Sequence, residues 1–145
     1  MNSPSARRQG VGEGSFRVLD VSECVELLAS KRIGRVGFVG PRGPQIIPVN
    51  YALRDGTIVL RTAAYSTMAQ HVTSGTVAFQ VDEVDEFLSS GWSVLALGTA
   101  ARVGHPEDLA ALWAHDEPEP WAAGIRSLFV QITPTEITGR RILPS

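Results

Sequence analysis

The chain has 145 residues, a formal net charge of −2, 43% hydrophobic and 19% charged residues, and a single cysteine. A length of this order makes one domain with a core of its own, needing no disulfide or metal staple. The balance of apolar and charged residues excludes a largely disordered chain, and no apolar run reaches the ~18 residues of a membrane-spanning helix. The near-neutral charge excludes a protein whose main task is coating nucleic acid. Cys24 has no partner for an intramolecular disulfide, which suits a reducing cytoplasm. His71, His105 and His115 never stand at metal-ligand spacing with one another or with Cys24, so no metal is expected.

In chain order, residues 1–15 read as a flexible tail and 16–145 as a single domain. Arg7-Arg8 is not followed by an apolar stretch, and Gly10, Gly12 and Gly14 follow no strand, so neither an export signal nor a dinucleotide loop is indicated. Asp20 with Glu23 forms a capping box, and Val21, Cys24, Val25 and Leu28 recur at helical spacing, which predicts a helix over about 20–31. Cys24 falls on its apolar stripe, as a packing residue does.

From Ile33 the pattern changes to strands. Ile33–Val39 ends at the breaker run Gly40–Pro44, and Gln45–Leu53 joins Thr57–Thr62 through the turn Arg54-Asp55-Gly56. Ser66 is placed to cap a short helix carrying Met68, Ala69 and Val72. Val77, Phe79 and Val81 alternate as in a half-buried strand, and Trp92–Val103 is apolar enough to predict a strand covered on both faces. Pro106 opens a further helix, and Leu128–Thr133 and Glu136–Ile142 supply the last two strands. Most connections are too short for parallel crossovers, so the sheet must be largely antiparallel. Closing it into a small barrel removes its edges, with a β-sandwich as the alternative.

The motifs of serine hydrolases, phosphate-binding loops, dithiol redox proteins and zinc proteases are all missing. The acidic group Asp82, Glu83, Asp85 and Glu86 reads as an exposed loop, with Arg140-Arg141 solvated or paired with it. Two patterns resist a purely structural account. Pro48 and Asn50 interrupt an otherwise good strand, and proline cannot donate to a sheet ladder, so something other than a neighbouring strand faces that backbone. Arg61 and Thr62 end an apolar strand just before Ser66, where a guanidinium and two hydroxyls make either a phosphate site or an ordinary surface ion pair.

The succession Gly34-Arg35-Val36-Gly37, Pro48-Val49-Asn50-Tyr51, Asp55-Gly56-Thr57-Ile58, Arg61-Thr62-Ala63, Val77 to Asp82, Gly91-Trp92-Ser93-Val94 and Gly139-Arg140-Arg141 resembles the pyridoxamine 5′-phosphate oxidase-like flavoproteins, in their small actinobacterial form. The resemblance implies a mainly β fold with short helices, a six-stranded antiparallel split β-barrel that is homodimeric and holds FMN at the subunit interface. It implies that Pro48, Val49, Asn50 and Tyr51 border the flavin ring, and that Arg61, Thr62, Ser66 and Thr67 lie around its phosphate. Trp92 and Ser93 would approach from the partner subunit. The implied activity is hydride transfer through flavin N5 to or from an unidentified small molecule, with Tyr51 or solvent as the proton source. The alternatives are deazaflavin on the same fold, or a dimeric ligand-binding domain that is not an enzyme and binds no cofactor. Thr67 stands where many relatives carry a lysine, and loss of one charge-assisted phosphate contact costs roughly 1.5–3 kcal/mol. The arginine and histidine that hold substrate phosphate in the true oxidases have no clear counterpart after Leu128, which argues against pyridoxamine phosphate as substrate.

Overall fold

A computed structural model of the protein describes residues 15–62, 76–104 and 128–144. The first ordered piece is a short strand, β1 (Phe16–Val18), followed by helix α1 (Val21–Ala29). Asp20 caps that helix as its sequence requires: its carboxylate accepts the Glu23 backbone N–H at 2.8 Å, and the Glu23 side chain returns to the Asp20 N–H. These hydrogen bonds, led by the one from the Glu23 backbone, hold the Asp20 carboxyl below its ordinary pKa of 3.8. The helix ends two residues earlier than its periodicity suggested, with the Ser30 hydroxyl and N–H both donating to the Leu27 carbonyl.

Six strands follow: β2 (Ile33–Gly40), β3 (Gly43–Arg54), β4 (Thr57–Thr62), β5 (Thr76–Asp85), β6 (Ser90–Arg102) and β7 (Leu128–Ile142). All pairings among them are antiparallel, in the order β7-β4-β3-β2-β5-β6, and β6 pairs back onto β7 to close the ring. β1 adds to the far end of β7. The β3–β4 turn is the predicted one, with Asp55 and Gly56 both at positive φ (51° and 78°), as a two-residue hairpin loop demands. Alternate residues of each strand fill the interior, among them Val36, Phe79, Ile58, Leu60, Val94 and Ile132, all fully buried. α1 packs against β7, β3 and β6, and buries Cys24 and Leu28. Cys24 is thus a core residue; burial pushes its thiol pKa up, with the nearby Asp20 and Glu23 charges adding to the shift.

Several expectations are corrected. The β-sandwich is ruled out by ring closure through β6 and β7. The two last strands are one, because a register shift opposite Leu97 and Gly98 lets β7 pass Pro134 without breaking. At Gly98 a Cβ would lie 2.3 Å from the Thr133 carbonyl oxygen, so this crossing admits no side chain. Within the single chain β6 is fully covered on one face only: Trp92, Val94 and Ala96 point inward, while Ser93, Leu95 and Leu97 lie half-buried on the outside. The acidic group is not a loop, since Asp82, Glu83 and Asp85 belong to β5. Its ion pairs run to Lys31 and Arg35 rather than to Arg140-Arg141. β1 carries no signal in the sequence, because three residues are too few for a periodic pattern. The helices expected after Ser66 and Pro106, and most of the tail, lie outside the described residues. None of the described helices is long and apolar enough to cross a membrane.

Candidate functional site

The oddity of Pro48 has a structural answer. Among the described residues, β3 pairs with β2 over residues 43–50 and with β4 over residues 51–54. Pro48 therefore sits opposite Arg35 in a stretch of β3 with no β4 pairing among the described residues, where its missing N–H leaves no described ladder bond unmade. Alternation then sorts the four consecutive residues onto two faces. Val49 and Tyr51 point into the barrel, while Pro48 and Asn50 share the outer face.

Tyr51 is held firmly inside. Its backbone N–H donates to the Arg32 carbonyl at 2.9 Å, and its hydroxyl donates to the Leu28 carbonyl at the end of α1. Its ring meets Phe79 edge-on with centroids 4.8 Å apart. Burial raises the phenol pKa well above its ordinary value of 10. This placement puts the hydroxyl on the opposite face from Asn50 and commits its proton to a backbone carbonyl, so the suggested role as proton source finds no geometry here.

Asn50 is different. It is 7% exposed, one of two buried polar side chains among the described residues, and its Oδ1 has no hydrogen-bond partner. A buried, unpaired carbonyl oxygen costs about 1–3 kcal/mol and marks a place where a donor belongs. Arg61 follows the last paired position of β3 and β4, Tyr51 with Leu60, just as Asn50 precedes it, so both lie on the outer face at the same level of adjacent strands. The Arg61 guanidinium is held over the Phe129 ring, 5.6 Å from its centroid, directly across the β4–β7 pair. Phe129 is itself fully buried with Val59 under Val103, so the cation stands on a rigid aromatic base. Thr62, the other buried polar residue, faces the interior.

The structure thus brings Pro48, Asn50 and Arg61 together on one face and leaves Val49, Tyr51 and Thr62 on the other. Ser66 and Thr67 lie outside the described residues. Ser93 shares the outer face but stands two strands beyond β2, and Trp92 is turned inward. The Glu83 carboxyl, opposite Trp92 on β5, is held below its usual range chiefly by the hydrogen bond and charge of Lys31, 3.0 Å away. Beside Asn50, the outer face sinks into a concavity of about 430 Å³ between Ile33, Arg35, Ile46, Pro48 and Asp82. Ile33 pairs directly with Asn50, and Pro48 with Arg35, so this hollow shares a wall with the Asn50–Arg61 face. No local pattern marks Arg35 and Asp82 as a pair, because they meet only through the pairing of β2 with β5.

Comparison with known proteins agrees with this architecture. A family model described as pyridoxamine 5′-phosphate oxidase matches residues 20–141. The chain belongs to that family, and its ring of six strands is the family's split barrel. It is 34% identical to the uncharacterized protein Rv0080 of Mycobacterium tuberculosis, over 97% of this chain and 95% of that protein. A provisionally named pyridoxamine 5′-phosphate oxidase from Corynebacterium glutamicum superposes with a TM-score of 0.72 at 32% identity, covering 90% of this chain and 95% of the other. The FAD binding protein from Mycobacterium smegmatis superposes with a TM-score of 0.68 at 26% identity, covering 88% and 99% respectively. All three relatives are actinobacterial, as the motif series implied.

Proposed function

We propose that this protein binds FMN on the outer face of β3 and β4 and acts, as a cytoplasmic homodimer, as an oxidoreductase on a small molecule. The observation that carries the reading is the buried Asn50 Oδ1 without a hydrogen-bond partner, at the level of Arg61 on the same face. A flavin suits this pair: its ring carries an amide-type N–H for the Asn50 oxygen, and its phosphate suits the Arg61 fork. When bound, the flavin supplies hydride transfer at N5. Asn50 orients the ring, Arg61 anchors the phosphate from its seat on Phe129, and Pro48 presents an apolar, donor-free surface beside them.

The homodimer is supported by what the outer face exposes. A row runs across four strands from Ile46 through Gly37 and Ala78 to Leu97. Ile46 is 72% exposed, and Val39 beside this row is 70% exposed. A second barrel packed there would cover this row and close the open side of the Asn50–Arg61 face.

The test is the absorbance spectrum of protein purified without added cofactor, followed by titration with FMN, FAD and deazaflavin. FAD is included because the Mycobacterium smegmatis relative is a FAD binding protein. Flavin bands in the native protein and an FMN affinity that falls roughly 10- to 100-fold in Arg61→Ala are the expected results. Colourless protein that ignores all three compounds would overturn the reading, and tighter binding of deazaflavin would replace FMN with it.

A further inference from the structure

The concavity beside Asn50 has a chemistry of its own. Its described walls are Ile33, Gly34, Ile46 and Pro48, with Arg35 and Asp82 as the charged groups. These two charges face each other, Arg35 Nη1 lying 3.7 Å from Asp82 Oδ1, and both side chains are partly open to solvent. The hollow therefore offers an apolar floor and a rim of no net charge. Its volume, about 430 Å³, lies in the range of small-molecule sites. We propose that this concavity is the substrate compartment of the protein and takes a neutral, apolar molecule, the Arg35–Asp82 pair turning anions away. This assignment rests on the preceding reading in placing the substrate beside the Asn50–Arg61 face.

The selectivity follows from the pair. An anion entering the hollow would lose water against Ile33, Ile46 and Pro48 and would need Arg35 to compensate. That guanidinium already faces Asp82, whose carboxylate repels the newcomer as well. An uncharged apolar molecule loses no such hydration and gains contact with Ile33, Ile46 and Pro48. Asp82 is thus a specificity-determining residue: without it Arg35 is a free cation at the rim of an apolar hollow, which is how anionic aromatic ligands are commonly held.

Two probes of nearly the same shape test this, neutral 2-naphthamide and anionic 2-naphthoate. Each is titrated into the full-length protein, as purified, while the methyl resonances of Ile33 and Ile46 are followed by NMR. The expected result is movement of both methyls with 2-naphthamide, at an affinity about tenfold or more above that for 2-naphthoate, a difference that corresponds to one decade on the affinity scale. In Asp82→Asn the preference should narrow or reverse, and in Arg35→Gln/Asp82→Asn it should return toward the neutral probe. Tighter binding of 2-naphthoate to the native protein overturns the proposal, as does the failure of 2-naphthamide to move Ile33 and Ile46. The readout does not depend on flavin: colourless protein that still prefers 2-naphthamide supports the compartment and refutes the cofactor reading, whereas yellow protein that moves neither methyl does the reverse.

Discussion

Tyr51 and Asn50 are neighbours in the chain and opposites in role. Strand alternation turns Tyr51 inward, where its hydroxyl satisfies the Leu28 carbonyl, and turns Asn50 outward, where its oxygen is buried and unpaired. Replacing Tyr51 by Phe leaves that carbonyl without its donor and should destabilise the protein by about 1–3 kcal/mol. The expected signature is a lower urea midpoint with an unchanged slope, and an unchanged flavin spectrum. A loss of flavin in Tyr51→Phe would return that hydroxyl to the site. The same logic separates Thr62 from Arg61: both end β4, but only the arginine stands on the outer face.

At the scale of elements, α1 owes part of its stability to the capping box at Asp20. The Asp20 pKa is depressed on folding, so its contribution is present above the unfolded value near 3.8 and disappears as pH falls through the lower folded value. Asp20→Ala should melt below the native protein at neutral pH, and the two melting temperatures should converge in acid; thermal melts across the pH range check this. β6 and β7 depend on a different device. Adding a methyl group at Gly98 would bring it to 2.3 Å from the Thr133 carbonyl oxygen, an atom of the backbone that cannot swing aside. Gly98→Ala should therefore cost about 1–3 kcal/mol or more, read from denaturant unfolding, as overpacking does elsewhere. Gly34, one of the glycines in the motif series, is also explained by packing: a Cβ there would meet the Phe79 ring at 2.4 Å.

For the whole molecule, the question is what covers the outer face of the barrel. The row Ile46, Gly37, Ala78 and Leu97 crosses β3, β2, β5 and β6 with little polar content, and ends at Glu136 on β7. In the proposed dimer this row meets a second barrel. Leu97→Glu would then place two carboxylates against each other across the two-fold axis or beside it, and bury at least one unpaired charge. Sedimentation analysis should show a dimer for the native chain and a monomer for Leu97→Glu, with flavin lost from the monomer at the same time. A monomeric native chain that keeps its flavin would remove the second copy from the site.

The sequence by itself determined the helix cap, the β3–β4 hairpin, the antiparallel barrel and the family. Each of these rests on neighbouring residues, on strand alternation or on a motif series spread along the chain. It also pointed to Pro48, Asn50 and Arg61, because a proline and an amide inside a strand, and an arginine at the end of one, conflict with local rules. What it could not sort was which of Pro48–Tyr51 face outward, since alternation leaves the phase open until the core claims one face. Trp92 and Ser93 looked like a pair for the same reason, and the barrel puts them on opposite faces. Only the tertiary structure brought Arg35 against Asp82, 47 positions along the chain. It did so through the register of β2 on β5, which no local pattern encodes. The 145 residues are enough for one barrel wall, and the proposed site lies on its outside, which is why a second chain is expected to complete it.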